Sequence, residues 1–162
     1  MKPILSVFLL SILILFSCQK EGDKTNLDPE TKSILNLHQS YIDGWLEMNE
    51  SKVVDLFEEN SRIQPSSLNP VSGKENIREF WFPKDGSQTI IHAFETELLG
   101  VAIKDTLGIS THKTLLDWSY EKDTIKMGMI QEGITTTLYR KQEDSSWKIW
   151  RQMWTDIKAT PK

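Results

Sequence analysis

One cysteine, Cys18, occurs in the 162 residues, so no disulfide can form within the chain. The fold must therefore rest on its apolar core. No apolar run reaches the roughly 20 residues that a membrane-spanning helix needs. The run from Pro3 to Phe16 is broken only by Ser6 and Ser11 and is too short to span comfortably. An excess of positive charge is missing too. With 19 Lys and Arg against 23 Asp and Glu, the formal net charge is −4. That balance gives no reason to expect nucleic acid as a partner. The chain has no Gly-x-Ser-x-Gly elbow, no phosphate loop and no nucleophile constellation. His38, His92 and His112 lack the close spacing and local acids of a metal site, so no metal and no cofactor are expected.

What is present begins at the N-terminus. Lys2, the apolar segment and Leu15-Phe16-Ser17-Cys18 follow the grammar of a secretory signal, basic first, apolar next and small at the cut. The Leu-x-Ser-Cys ending resembles the lipobox of bacterial lipoproteins, in which the cysteine is acylated and becomes the new N-terminus. Residues 1–17 are then the signal peptide, and residues 18–28 the lipidated cysteine with a polar tether. Cleavage leaves 145 residues and removes Lys2, which takes the formal charge to −5. That length suits one domain, expected over residues 29–158. Each methylene of the acyl chains contributes about 0.8 kcal/mol of membrane affinity, so the anchor would be durable. Gln19 differs from the aspartate of an inner-membrane retention signal, which favours the outer membrane, facing either the periplasm or the cell surface.

Asp28-Pro29 starts the domain as an N-cap followed by proline at the first helical position. Ile34, Leu37, His38, Tyr41, Ile42, Trp45 and Met48 recur at helical spacing, predicting an amphipathic helix. A shorter helix after Asn49 buries Val53, Val54 and Phe57, and Pro65 and Pro70 then mark a short strand or irregular hairpin. Ser72-Gly-Lys-Glu75 fits a capping box for a third helix, which stops at Pro83. From Thr89 onwards the period changes to that of strands. Residues 89–103, 107–120, 124–141 and 147–157 predict a four-stranded antiparallel meander under the helices, an α+β architecture. In the last strand Trp150 and Trp154 share one parity, while Trp147, Ile149 and Met153 share the other.

Several stretches together resemble a known family. They are Tyr41-Ile-Asp-Gly-Trp45, Leu56-Phe-Glu-Glu-Asn60 with a strand ending at Pro65, Ser72-Gly-Lys-Glu-Asn-Ile-Arg-Glu-Phe80, and Trp147-Lys-Ile149. They look like the nuclear transport factor 2-like superfamily, in its SnoaL-like and ketosteroid-isomerase-like branch, across residues 30–157. The resemblance implies a cone of curved sheet wrapped around three N-terminal helices, with an apolar pocket and frequent dimerisation through the sheet. Isomerases of this group place a carboxylate base just before the proline of the short strand. Here that residue is Gln64, and no Asp or Glu occurs between Glu59 and Glu75. An amide cannot hold and return a proton, although it can still hydrogen-bond a ligand.

The candidate pocket residues are Tyr41, Trp45, Gln64, Trp81, His92, Met127 and Glu132. Tyr41 matches a helix-one tyrosine that, by the resemblance, donates to a developing oxyanion. His92 is a candidate base in the first long strand. Glu132 is the acid best placed to point inward, because Gly128 and Gly133 can bend its strand. Trp150 and Trp154 are the candidate dimer face. The combined expectation is a lipid-anchored domain outside the cytoplasm that binds a small apolar ligand or a partner chain and forms a homodimer. Two alternatives stay open. One is a SnoaL-like isomerase, cyclase or dehydratase with a non-standard acid or base; the other is a structural dimerisation module. The catalytic residues are left unassigned.

Replacing the lipidation site tests the anchor directly. Cys18→Ala is expected to leave the membrane fraction or to accumulate as the unprocessed form. Fractionation and gel mobility identical to wild type would overturn the lipoprotein reading.

Overall fold

The computed structural model describes residues 27–162. The expected signal peptide, the expected lipidation site at Cys18 and most of the expected tether lie outside the described residues. Helix α1 runs Pro29–Leu46, capped by Asp28, whose side chain accepts from the Thr31 amide. Helix α2 is Glu50–Val54, capped by the Asn49 side chain accepting from Lys52. Strand β1 follows at Phe57–Gln64, β2 at Val71–Ser72 and helix α3 at Lys74–Trp81. Four long strands complete the chain: β3 Gln88–Lys104, β4 Leu107–Lys122, β5 Ile125–Lys141 and β6 Trp147–Pro161.

The expected meander of β3 to β6 is present, and two more strands extend it. The sheet order is β2-β1-β6-β5-β4-β3. β1 pairs parallel to β6, whereas the other pairs are antiparallel. Phe57, which the sequence places at the end of the second helix, instead opens β1 opposite Ile149. The expected capping box at Ser72 is absent. Gly73 caps α3 at φ 90, a backbone conformation that suits glycine, and Asn76 donates to the Ser72 carbonyl.

Sheet curvature comes from unpaired residues. In β6, Ile149 pairs with Tyr139 and Arg151 with Leu138, leaving Trp150 without a partner. Ile157 is skipped in the same way between Asp156 and Lys158. In β3 the skipped residues are His92 and Leu99. Each extra residue bends its strand and shifts every later side chain to the other face. Trp147 and Ile149 therefore point inward before the bulge, and Gln152 points inward after it. The shared parity of Trp150 and Trp154 does not survive folding. Trp154 packs against the inner core, while Trp150 lies under the guanidiniums of Arg140 and Arg151, 4.0 and 4.4 Å from its ring centroid.

The core joins α1 to the concave face of the sheet. Ile34, Tyr41, Ile42 and Trp45 of α1 meet Phe57, Ile63, Ile77, Tyr139 and Ile149, all buried. Gly108 and Gly133 are close-approach positions. A Cβ at Gly108 would stand 2.3 Å from the Ile34 Cδ1, and one at Gly133 would stand 2.4 Å from the Thr155 carbonyl oxygen.

Candidate functional site

A cavity of about 350 Å³ opens between the concave face of the sheet, α1 and α3. Its size falls within the range of small-molecule sites. The aromatic wall comprises Tyr41, Trp45, Phe80, Trp81, Phe94, Trp118 and Trp154. The helical spacing of α1 puts Tyr41 and Trp45 on one face, and the bulge at Trp150 turns Trp154 inward to join them. Trp45 stacks on Phe82 at 5.2 Å and meets Trp81 edge-on at 5.3 Å. Its buried indole N–H meets no acceptor within hydrogen-bond geometry among the described residues, and ring packing holds that corner.

Beside Thr89, Thr114 and Thr135, three hydrogen-bonded polar groups reach this wall. The Tyr41 hydroxyl, fully enclosed, donates to Gln152 Oε1 at 3.1 Å, and Gln152 Nε2 donates to Thr137 Oγ1 at 3.3 Å. Burial raises the Tyr41 pKa well above the usual phenol range, so the hydroxyl stays protonated. His38 is buried, and its ring stacks on His112 at 3.7 Å with an interplanar angle of 7°. Its Nε2 lies 3.4 Å from Thr96 Oγ1. Burial and the neighbouring His112 push the His38 pKa down to about 3, and burial lowers that of His112. Both rings are neutral at pH 7. Beside them, Ser110 Oγ lies 3.5 Å from His112 Nδ1 and 2.9 Å from the Tyr139 hydroxyl.

The third group is Asp156, the only charged side chain that lines the cavity among the described residues. Gln131 holds it in place: Trp118 Nε1 donates to Gln131 Oε1 at 2.5 Å, and Gln131 Nε2 donates to Asp156 Oδ2 at 3.1 Å. The Asp156 amide donates to Ser66 Oγ at 3.3 Å.

Of the residues the sequence marked for the pocket, Tyr41, Trp45 and Trp81 line this cavity. Four do not. The Gln64 amide donates to the carbonyls of Pro65 and Leu68, tying the loop after β1. His92 is the bulged residue of β3 and is exposed, with Nε2 2.8 Å from Ser119 Oγ. Met127 is exposed near the start of β5, beyond the cavity. Glu132 lies on the convex face, 3.6 Å from Lys158 Nζ and beside Glu95, Glu97 and Lys113. Alternation decides its direction, because Gln131 and Gly133 take the inward positions on either side.

Sequence reasoning did not select His38, Trp118, Gln131, Gln152 or Asp156 as site residues. His38 carried a signal, since it precedes Tyr41 by three positions and Trp45 by seven on one helix face. Asp156 carried none, because two bulges precede or adjoin it.

The sequence matches no family model and no curated protein. Solved structures share its shape at low identity. A ketosteroid isomerase-like protein from Erwinia carotovora atroseptica superposes with a TM-score of 0.69 at 13% identity, covering 82% of this chain and 99% of that one. A putative scytalone dehydratase from Novosphingobium aromaticivorans gives 0.63 at 14% identity, covering 81% and 86%. A type 2 hexachlorocyclohexane dehydrochlorinase gives 0.62 at 11% identity, covering 82% and 88%. The chain has the nuclear transport factor 2-like fold. That cone, with helices inside a curved α+β sheet, is the architecture the sequence resemblance implied.

Within this nuclear transport factor 2-like cone the histidine stack makes stability depend on pH. A His with a folded pKa near 3 and an unfolded value near 6.5 binds more protons when unfolded. Its stabilising contribution is present above about pH 6.5 and is lost as pH falls towards 3. The slope for the His38 proton rises from near zero above pH 7 to a limit of about 1.4 kcal/mol per pH unit below about pH 5.5. Denaturant unfolding between pH 7 and pH 5 should show this loss, and His38→Phe should flatten the profile. An unchanged slope in a folded His38→Phe variant would remove His38 as its source.

Proposed function

We propose that this domain is a receptor for a small apolar or amphipathic ligand, held at the outer membrane through lipid on Cys18. One observation carries the reading. Apart from Asp156, the ionisable groups reaching the aromatic cavity are tied to protein partners or held neutral by burial. Such a cavity offers volume and a few polar contacts, which is what binding requires. Catalysis by proton transfer requires a group tuned to exchange a proton near neutral pH. The similar structures named as isomerase-like, dehydratase or dehydrochlorinase lend the enzyme reading support through fold alone. Its one local argument is Asp156, a carboxylate inside the cavity.

Titration with a neutral apolar fluorophore such as N-phenyl-1-naphthylamine tests the receptor. Saturable binding with quenching of tryptophan emission is expected. Trp81→Ala should weaken it about tenfold, by removing a large part of the wall. No turnover of a 3-oxo-Δ5-steroid is expected, because Gln64 stands where the base would be. Steroid turnover lost in a folded Asp156→Asn variant would replace the receptor by an enzyme.

The convex face of β3–β6 is read as a homodimer surface. Leu115, Ile134, Leu138 and the exposed Met153 run between acidic Glu95 and Glu97 on one side and basic Arg140 and Arg151 on the other. A two-fold axis through such a surface sets acid against base and covers the apolar strip. Sedimentation should give a dimer at micromolar concentration, and Leu138→Asp should give a monomer. A wild-type monomer at high micromolar concentration would refute it.

A further inference from the structure

The six tryptophans divide by what lies against them. Trp147 has Lys141 Nζ 5.9 Å from its ring, and Trp150 sits under two guanidiniums. The other four, Trp45, Trp81, Trp118 and Trp154, line the cavity, and no cation of the described residues lies over any of them. Trp45 and Trp81 engage each other and Phe82 or Tyr41. Trp118 and Trp154 pair with no other aromatic ring among the described residues.

Asp156 stands on the same inner surface, two positions along β6 from Trp154 and linked through Gln131 to Trp118. It forms no ion pair among the described residues. Gln131 occupies Oδ2, and Oδ1 has no hydrogen bond among the described residues. Gly133, its cross-strand neighbour on β5, also lines the cavity and places no side chain beside the carboxylate. A carboxylate drawn partly out of water without a cation is unfavourable, and a ligand bearing positive charge would offset that cost. Indole rings attract the same charge through their π-faces, more strongly once water is excluded. Among the described residues no lysine or arginine lines the cavity to repel it.

We infer that the cavity selects a small organic cation, an ammonium bearing alkyl or aryl groups, with Asp156 as counter-ion and Trp118 and Trp154 as its aromatic walls. This inference rests on the receptor reading and adds the charge of the ligand. Neutral ligands of the same shape gain the apolar contacts but leave Asp156 unpaired; anions meet repulsion.

Benzyltrimethylammonium and its uncharged isostere neopentylbenzene separate the two levels. Both are titrated calorimetrically against the full mature chain. The ammonium should bind at least tenfold more tightly. Asp156→Asn, which keeps the side-chain shape, should abolish that preference, the ammonium losing affinity and neopentylbenzene losing none. Trp154→Leu should weaken the ammonium more than the isostere. Equal affinity of the wild type for the two compounds would overturn the cation inference and leave the receptor standing. Failure of both to bind a folded protein at millimolar concentration would overturn the receptor as well. A preference that persists in Asp156→Asn would remove Asp156 as the counter-ion.

Discussion

The site depends on the bending of the sheet. Strands β3 to β6 are 15 to 17 residues long, and without interruption they would form an open, gently twisted surface. Four residues without cross-strand partners, His92 and Leu99 in β3 and Trp150 and Ile157 in β6, bend the two outer members of the meander. The concave side then reaches α1 from several directions. Tyr41 consequently has four aromatic rings, Trp45, Phe57, Trp81 and Phe94, with centroids 6.1 to 6.3 Å away. Three of these pairs are edge-to-face and the Trp81 pair is tilted; aromatic pairs contribute roughly 0.5–1.5 kcal/mol each beyond area burial. They also leave a space at one end that the rings do not fill.

Polar groups inside that space are arranged at a cost that packing alone does not require. Tyr41, His38 and His112 would be cheaper to bury as Phe or Leu, since each hydroxyl or ring nitrogen must be matched by a partner. The chain instead supplies Gln152, Thr137, Thr96 and Ser110 to match them. Asp156 is matched only in part, by Gln131. A carboxylate that faces an aromatic cavity with no ion-pair partner among the described residues is the feature least explained by stability, and it gives the cavity its sign of charge. The stacked histidines add a second consequence, because burial opposes their protonation as pH falls below about 6.5.

The outer face follows the opposite logic. Arg140 and Arg151 cover the Trp150 ring and also engage Glu58 and the Asn60 carbonyl, respectively. The bulge that sends Trp154 into the cavity therefore sends Trp150 out, where guanidiniums shield it. One structural irregularity thus builds a wall of the cavity and a cation-covered aromatic on the convex side.

Local signals in the sequence settled much of the scaffold. Asp28 and Pro29 mark the start of α1, and the three- and four-residue spacing picks out its buried face, including Tyr41 and Trp45. The switch to strand patterning places β3 to β6 to within a few residues, because caps, turns and periodicity are determined by neighbours along the chain. Tertiary structure decided the rest. β1 joins the sheet parallel to β6, a pairing about ninety residues apart that no local pattern encodes. Trp150 and Trp154 take opposite faces, Glu132 points outward, and Asp156 enters the cavity. Parity can be read from sequence only while strand pairing stays in register. A one-residue bulge is chosen by the partner strand and the helix beneath it, and it reverses every assignment that follows.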